Sequence, residues 1–405
     1  MSQARPPEAV PSKGGGELLR IPVPEVPRRP PERVRLAWQL WLDGEVRRAP
    51  TPVADGVVVV LDASEPGKVP AASVVRRLDG EGRTVWERLL EGVVSGDPQR
   101  TQTLFAVPMD GERVVVLDVV TGVPVGAPIQ VVGSTIRGAI GALGGKVWVR
   151  FGETQGALEG LGPFLAVYDP VDGDVPRLFP DPLGRALETH WRRTNRTVVA
   201  AAEHDGGATL LGFDETSASV LWRVELAGVG VSDLWGAGGL VDLATSDAVR
   251  SFDARTGTPL TRRFEGLGLE LGRIAGETLL VPVIGGAGAT RGASGASTTG
   301  NARRLLAFEV GTEEPTGQLA DFHRLIGASS DLALIHRVVG SGDEGSAGQE
   351  VTALIELPDL RDCELPEAES ILGASLVAFA THSLWVVAHG GRTLSQLDLA
   401  TQRPS

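Results

Sequence analysis

Residues 251–264 read SFDARTGTPLTRRF, and this short pattern decides the fold. An apolar stretch ends in an aspartate, a Thr-Gly turn follows, and the chain continues into residues of alternating polarity. A carboxylate at this place can accept hydrogen bonds from backbone N–H groups two residues later, and glycine tolerates the positive φ that closes the turn. The pattern therefore predicts a β-hairpin with an aspartate at its turn.

Copies of the pattern recur along the chain at intervals of 39 to 56 residues, a spacing typical of one four-stranded propeller blade. The stretch before each acidic residue is apolar and the stretch after it alternates, so we interpret the two as the third and fourth strands of a blade. Recurrence at equivalent places indicates turn capping rather than catalysis. The acidic residues of the eight copies are Asp79, Asp118, Asp169, Asp214, Asp253, Glu309, Glu356 and Asp398.

The composition agrees with this interpretation. The chain has 53 glycines and 27 prolines among 405 residues, which favours many short strands joined by tight turns. We predict an all-β fold, an eight-bladed β-propeller of four-stranded antiparallel blades over residues 33–405. A seven-bladed ring is the alternative, in which the weak copy at Glu356 or the terminal copy at Asp398 is misassigned.

Residues 1–32 are predicted to lie outside the ring. They contain eight prolines, which indicates a disordered arm, and LLRIPVPEVP at residues 18–27 is a candidate docking segment within it.

The last copy of the pattern reaches residue 405 before a fourth strand can follow it. The stretch VRLAWQLWLD at residues 34–43 supplies a strand of the right kind, and strict alternation places its apolar residues on one face. We predict that this N-terminal strand completes the eighth blade and closes the ring, which removes exposed sheet edges. The apolar residues are Val34, Leu36, Trp38, Leu40 and Leu42.

The clearest copy, APTPVADGVVVV followed by VVRRLDGEGRTVWERLLEG within residues 49–92, resembles the quinoprotein-type, or PQQ-like, β-propeller repeats. In that family a tryptophan after the turn docks one blade onto the next. The resemblance implies this role for Trp86 and Trp222, seven and eight residues after their aspartates, and a docking or structural role for Trp38. Thr261 stands at the corresponding place after Asp253.

Quinoprotein dehydrogenases of the resembling family are typically exported, bind calcium beside the quinone and often carry an adjacent cysteine pair. This chain has the single cysteine Cys363, and its first residues lack the apolar core of a signal peptide. Its six histidines show no metal-ligand spacing, and no segment is apolar for long enough to span a bilayer. We therefore expect a cytoplasmic, non-catalytic protein with no cofactor, no metal and no membrane partner.

The net charge of −13, from 38 basic and 51 acidic residues, would repel a phosphate backbone, so we expect no nucleic-acid partner. Three polar insertions, at residues 152–163, 285–303 and 340–350, fall between second and third strands and should open on one face. Long loops on a rigid support commonly carry binding residues. The candidate partner-binding residues on them are Glu153, Glu159, Arg291, Asp343 and Glu344.

These features predict a scaffold or adaptor for protein–protein interaction. The cytoplasmic propellers that accompany MoxR-type ATPases and von Willebrand factor A proteins in bacterial multi-protein systems give the closest context. The alternative is an enzyme or a small-ligand-binding propeller with its site at the central channel.

Overall fold

A computed structural model describes residues 33–63, 72–155, 162–173, 175–184, 189–237, 239–263, 273–275, 278–284, 303–309, 314–320, 322–339, 349–363, 373–380 and 383–400. Within these ranges all of the regular secondary structure is β-strand, and the strands form eight antiparallel sheets. The predicted all-β, eight-bladed propeller is confirmed, and the seven-bladed alternative is wrong. The proposed arm, residues 1–32, lies outside the described residues.

The first four blades follow one another along the chain. In blade 1, β2 and β3 share the first-strand position because both pair with β4. Their strands are β2 (Glu45–Val46), β3 (Thr51–Val53), β4 (Gly56–Asp62), β5 (Ala72–Asp79) and β6 (Thr84–Glu91) in blade 1; β7 (Gln99–Arg100), β8 (Leu104–Met109), β9 (Arg113–Asp118) and β10 (Ile129–Gln130) in blade 2; β11 (Gly141–Leu143), β12 (Lys146–Phe151), β13 (Phe164–Tyr168) and β14 (Arg177–Pro180) in blade 3; and β15 (Thr189–Thr194), β16 (Thr197–His204), β17 (Gly207–Asp214) and β18 (Val220–Ala227) in blade 4.

The remaining blades continue in order, and the eighth takes its fourth strand from the start of the described chain. Their strands are β19 (Val231–Ala237), β20 (Leu240–Thr245), β21 (Val249–Asp253) and β22 (Pro259–Arg263) in blade 5; β23 (Arg273–Ala275), β24 (Thr278–Ile284), β25 (Arg303–Glu309) and β26 (Gly317–Leu319) in blade 6; β27 (Phe322–Ala328), β28 (Leu332–Val339), β29 (Gln349–Glu356) and β30 (Arg361–Asp362) in blade 7; and β31 (Leu376–Phe379), β32 (Ser383–Ala388), β33 (Thr393–Ala400) and β1 (Arg33–Trp41) in blade 8.

The second strands explain the long apolar runs of the sequence. Strand β4 is GVVVVLD, and all of its residues except Asp62 are buried; every residue of β8 and β12 is buried. These strands pack between neighbouring blades, so both faces are covered and the sequence need not alternate. The outer strand β6 does alternate in part, with Trp86 and Leu90 buried and the charged residues exposed. The core consequently lies between blades, where Val58 and Val60 of blade 1 meet Phe105 and Val107 of blade 2.

The predicted closure of the ring by the N-terminal strand is confirmed, because β1 pairs antiparallel with β33. The prediction that its five apolar residues share one face is wrong. The register shifts between Leu36 and Trp38, so a β-bulge interrupts the alternation there. Val34 packs with Leu334 and Leu354 of blade 7.

The residues after the bulge pack against blade 1 instead of blade 7. Leu42, Trp38 and Leu40 belong to the cluster that contains Val57 and Val59 of blade 1. A single closing strand therefore contacts blade 7 with its first half and blade 1 with its second half, and both contacts depend on the bulge.

Candidate functional site

The eight acidic residues of the repeat lie at or near the ends of third strands. Asp253 accepts hydrogen bonds at Oδ1 from the backbone N–H of Arg255 (3.0 Å) and of Thr256 (2.8 Å). Asp79, Asp118, Asp169 and Asp214 likewise accept backbone N–H groups of their own turns. Asp398 lies inside β33 and accepts the side-chain amide of Gln396 at 3.1 Å.

Each of the three predicted tryptophans contacts the turn of the following blade, and the indole Nε1 of Trp38 donates to the carbonyl of Gly80 at 3.0 Å. The indole Nε1 of Trp86 donates to the carbonyl of Val119 at 3.0 Å, and that of Trp222 donates to the carbonyl of Ala254 at 2.9 Å. Each acceptor directly follows the aspartate of the next blade. Thr261 pairs with Ser251 in the register position that Trp222 occupies opposite Gly212, so it is the structural equivalent of the tryptophan in blade 5.

The ring has two differently built rims. We call the turn rim the side that carries the first-to-second and third-to-fourth turns, and the loop rim the side that carries the second-to-third connections. On the loop rim the connections of four blades are long, and those of the other four are tight turns. The long connections span residues 63–71, 152–163, 285–302 and 340–348 in blades 1, 3, 6 and 7.

Three of these connections are the predicted insertions, although the second and third end earlier than predicted because β25 begins at Arg303 and β29 at Gln349. The sequence analysis missed the fourth, in blade 1. Of the predicted partner-binding residues, Glu153 is described: it is exposed and lies two residues after β12. The other four lie outside the described residues: Glu159, Arg291, Asp343 and Glu344.

On the turn rim, a cavity of about 1590 Å³ lies at the ends of blades 7, 8, 1 and 2. Arg77 is one of its wall residues and is almost fully buried. Its guanidinium pairs with Asp55 at 2.5 Å and donates to the carbonyl of Val120 at 3.0 Å. These contacts join the first turn of blade 1 to the turn of blade 2, so Arg77 holds the wall of the cavity together.

Arg100, at the end of β7, also lines the cavity. No carboxylate pairs with its guanidinium in the part of the chain that the structure describes, and desolvation by burial lowers its pKa. A cation without a counter-charge at the edge of a cavity offers a place for an anionic group.

Two buried polar groups of blade 8 complete the cavity wall. Trp385 and Gln396 face each other across β32 and β33, and they are 2% and 7% exposed. The indole Nε1 of Trp385 and the Oε1 of Gln396 have no hydrogen-bond partner among the described residues. An unsatisfied buried donor or acceptor costs about 1–3 kcal/mol, so such atoms call for an explanation.

Exposed valines lie on the same rim. Val120 and Val123 in the turn of blade 2 are 62% and 49% exposed, and Val171 and Val175 in the turn of blade 3 are 90% and 77% exposed.

The sequence analysis also missed a buried ion pair near the loop rim. Arg150 of β12 and Asp181 after β14 lie 2.8 Å apart with no exposed side-chain area. The guanidinium also donates to Oγ1 of Thr189 and to the carbonyl of Gly184. Burial lowers the pKa of Arg150 and raises that of Asp181. The pair connects strand β12 of blade 3 to the segment that leads into blade 4, so its role is structural. The sequence signal for it is the arginine within the otherwise apolar run VWVRF.

Within the described ranges, no three His, Cys, Asp or Glu residues lie close enough together to hold a metal ion. The same ranges contain no helix long and apolar enough to cross a bilayer.

Neither a protein-family model nor a curated protein sequence matches the chain. Solved structures do match it over nearly its whole length. BamB from Moraxella catarrhalis is 14% identical, with 92% of this chain and all of that chain covered and a TM-score of 0.58. The quinohemoprotein alcohol dehydrogenase from Comamonas testosteroni is 12% identical, with coverages of 92% and 78% and a TM-score of 0.53. A europium-containing methanol dehydrogenase is 11% identical, with coverages of 91% and 94% and a TM-score of 0.56.

These similarities show that the chain has a PQQ-like β-propeller fold. At such identities they show the fold alone, because this fold supports both dehydrogenases and proteins of other kinds.

Proposed function

We propose that this chain is a non-catalytic scaffold that binds a protein partner through the loop rim. The observation that carries the proposal is that four second-to-third connections have 9 to 18 residues, whereas six of the seven third-to-fourth connections on the other rim have four to eight. A rigid ring that carries long polar connections is suited to presenting a binding surface. Glu153, at the base of the connection in blade 3, is exposed.

We place this scaffold in a bacterial cytoplasmic multi-protein system, with MoxR-type ATPases and von Willebrand factor A proteins as the first partners to test. The net charge of −13 favours a partner with a basic surface over nucleic acid or an anionic membrane.

The alternative, a ligand-binding propeller, would use the cavity on the turn rim. Small-molecule sites usually measure about 300–1,000 Å³. The cavity of about 1590 Å³ is larger, which is why we rank the scaffold first.

The test begins with a partner identified by affinity purification and then purified. Its affinity is measured by calorimetry for three forms of the chain. One form has the connections at 152–163, 285–302 and 340–348 shortened to tight turns. A second, matched form carries Val171→Ser and Val175→Ser on the turn rim. We expect the first form to lose at least tenfold in affinity and the second to bind like the unmodified chain. Loss with the valine substitutions and normal binding with the shortened connections would move the docking surface to the turn rim and contradict the proposal.

A further inference from the structure

The seams of the ring, which are the contacts between consecutive blades, differ in how much apolar surface they bury. Among the described residues, twelve buried apolar residues form the cluster between blades 1 and 2, nine form that between blades 4 and 5, and five form that between blades 5 and 6. The five are Ala244 and Val249 of blade 5 with Leu279, Val281 and Phe308 of blade 6. Because hydrophobic stabilisation is roughly proportional to the apolar area removed from water, we expect this seam to be held least strongly of the three.

The face of blade 5 that packs against blade 6 explains the difference. Val241 and Leu243 of β20 belong to the cluster shared with blade 4, so alternation places Asp242 between them on the opposite face, towards blade 6. Asp242 pairs directly with Ser251, and Ser251 pairs with Thr261, so these three residues form one row across the blade. Asp242 and Ser251 are buried, and the Ser251 hydroxyl donates to the Asp242 carboxylate.

The corresponding row is different in blades that carry a docking tryptophan. In blade 4 the row consists of Val199, Gly212 and Trp222, and a Cβ at Gly212 would lie 2.2 Å from the tryptophan ring, so glycine makes room for it. In blade 1 the same row begins with Val58 and ends with Trp86. Blade 5 therefore has an aspartate where blades 1 and 4 have valine, and a threonine where they have tryptophan.

The polar row holds neighbouring blades together less well than the aromatic row. The hydrogen bond from Ser251 to Asp242 lies within blade 5, where it compensates for the burial of both groups. Trp222, in contrast, buries a large ring in the seam and donates a hydrogen bond of 2.9 Å to Ala254 of the next blade. Proteins open locally where few apolar contacts are buried, so blade 5 is the place to expect such an opening.

We propose that the closed ring opens locally at the seam between blades 5 and 6 before it opens at its other seams. The seam is thus a conformational device of the propeller, and its opening separates blade 5 from blade 6, which carries the connection at 285–302. The closure by β1 is not the weak point, because Trp38 docks there on Gly80 as the other tryptophans dock on their neighbours. This inference does not depend on the partner proposed for the loop rim.

Labelling of a buried cysteine in the full chain measures the opening, and the chain offers a matched pair of positions. Ala244 of β20 lies in the seam between blades 5 and 6, and Ala201 of β16 lies in that between blades 4 and 5. Both are alanines with no exposed area, and each pairs with the residue four before the aspartate of its own blade. The variants Ala244→Cys and Ala201→Cys therefore differ mainly in the seam that covers the new thiol.

Each variant is treated with a chromogenic disulfide reagent under native conditions, and its rate is divided by the rate of the same variant when unfolded. The unmodified chain gives the background from Cys363, which is low because burial raises the pKa of that thiol to about 12 and keeps it protonated near neutral pH. We expect Ala244→Cys to react at least about tenfold faster than Ala201→Cys. Equal rates, or faster labelling of Ala201→Cys, would overturn the proposal.

A substitution in the stronger seam supplies a second readout. Trp222→Thr gives blade 4 the threonine that blade 5 has at the corresponding place. It should raise the labelling rate of Ala201→Cys severalfold and leave that of Ala244→Cys nearly unchanged, because it weakens the seam between blades 4 and 5 alone. An equal rise in both variants would show that the ring opens as one unit, and no rise in Ala201→Cys would show that the row does not control opening; either result would contradict the proposal.

Discussion

The indole Nε1 of Trp38 donates a hydrogen bond of 3.0 Å to the carbonyl of Gly80, 42 residues further along the chain. Trp38 belongs to the fourth strand of blade 8, and Gly80 directly follows the aspartate of blade 1. The contact has the same form as that from Trp86 to Val119 between blades 1 and 2. The two ends of the described chain are thus joined by the same device that joins consecutive blades.

We predict that Trp38→Ala lowers the free energy of unfolding by about 2–4 kcal/mol, because it removes a partly buried ring and its hydrogen bond. The matched control is Trp41→Ala on the same strand. Trp41 is 66% exposed, so its loss should change stability by less than about 0.5 kcal/mol. Chemical denaturation of the two variants measures the difference. Similar losses would mean that the Trp38 contact does not contribute specifically to closure.

The turn glycines provide a second prediction. Gly122 has φ of 67°, and a Cβ there would lie 2.5 Å from the ring of Trp86. Gly111 has φ of 74°, with no atom within 4 Å of such a Cβ. Both alanine substitutions carry the strain of positive φ, about 1–2 kcal/mol, and Gly122→Ala should cost a further 1–3 kcal/mol, roughly, from the clash. Comparison of their unfolding midpoints isolates the blade-docking contribution, and equal midpoints would contradict it.

The aspartate-capped turns predict a pH dependence. The hydroxyl and N–H of Thr256 lower the pKa of Asp253, and the backbone N–H of Ser217 lowers that of Asp214. A carboxyl group with a lower pKa in the folded state stabilises the fold above its unfolded pKa, and this contribution is lost as the pH falls through the folded pKa. We therefore expect the melting temperature to fall as the pH is lowered below about 4, close to the unfolded aspartate pKa. Replacing both aspartates with asparagine should make that fall shallower. An unchanged slope would show that these turns do not contribute to it.

The buried pair of Arg150 and Asp181 predicts that losing one charge costs more stability than losing both. Asp181→Ala leaves the guanidinium of Arg150 buried without its counter-charge and should cost about 3–5 kcal/mol. The double variant Arg150→Met with Asp181→Leu removes both charges and should recover much of that loss. Calorimetric unfolding of both variants checks the order. A double variant less stable than Asp181→Ala would contradict this prediction, because the ion pair itself would then stabilise blade 3.

The sequence predicts the blades well because their signal is local. An aspartate, a turn and a glycine lie within a few residues of one another, as at Asp253 and Gly257, and the pattern returns at each blade. The bulge between Leu36 and Trp38 could not be predicted from alternation alone, since it depends on the packing of one strand against two different blades.

The cavity on the turn rim was beyond sequence reasoning for a related reason. Arg100, Trp385 and Gln396 come from two blades at opposite ends of the chain, and only the closed ring brings them to one wall. None of the three belongs to a motif, and their missing partners become visible only when the neighbours of each atom are known.

The claim on which the rims and the cavity both depend is that the N-terminal strand closes the ring. Comparison of two truncations tests it most directly. Deletion of residues 1–30 leaves β1 in place and should leave the melting temperature nearly unchanged. Deletion of residues 1–43 removes β1 and uncovers Leu397 and Leu399, which β1 now covers, so we predict aggregation or a fall in melting temperature of 10 °C or more, roughly, for the loss of several buried side chains. Equal melting temperatures for the two truncated chains would contradict the account.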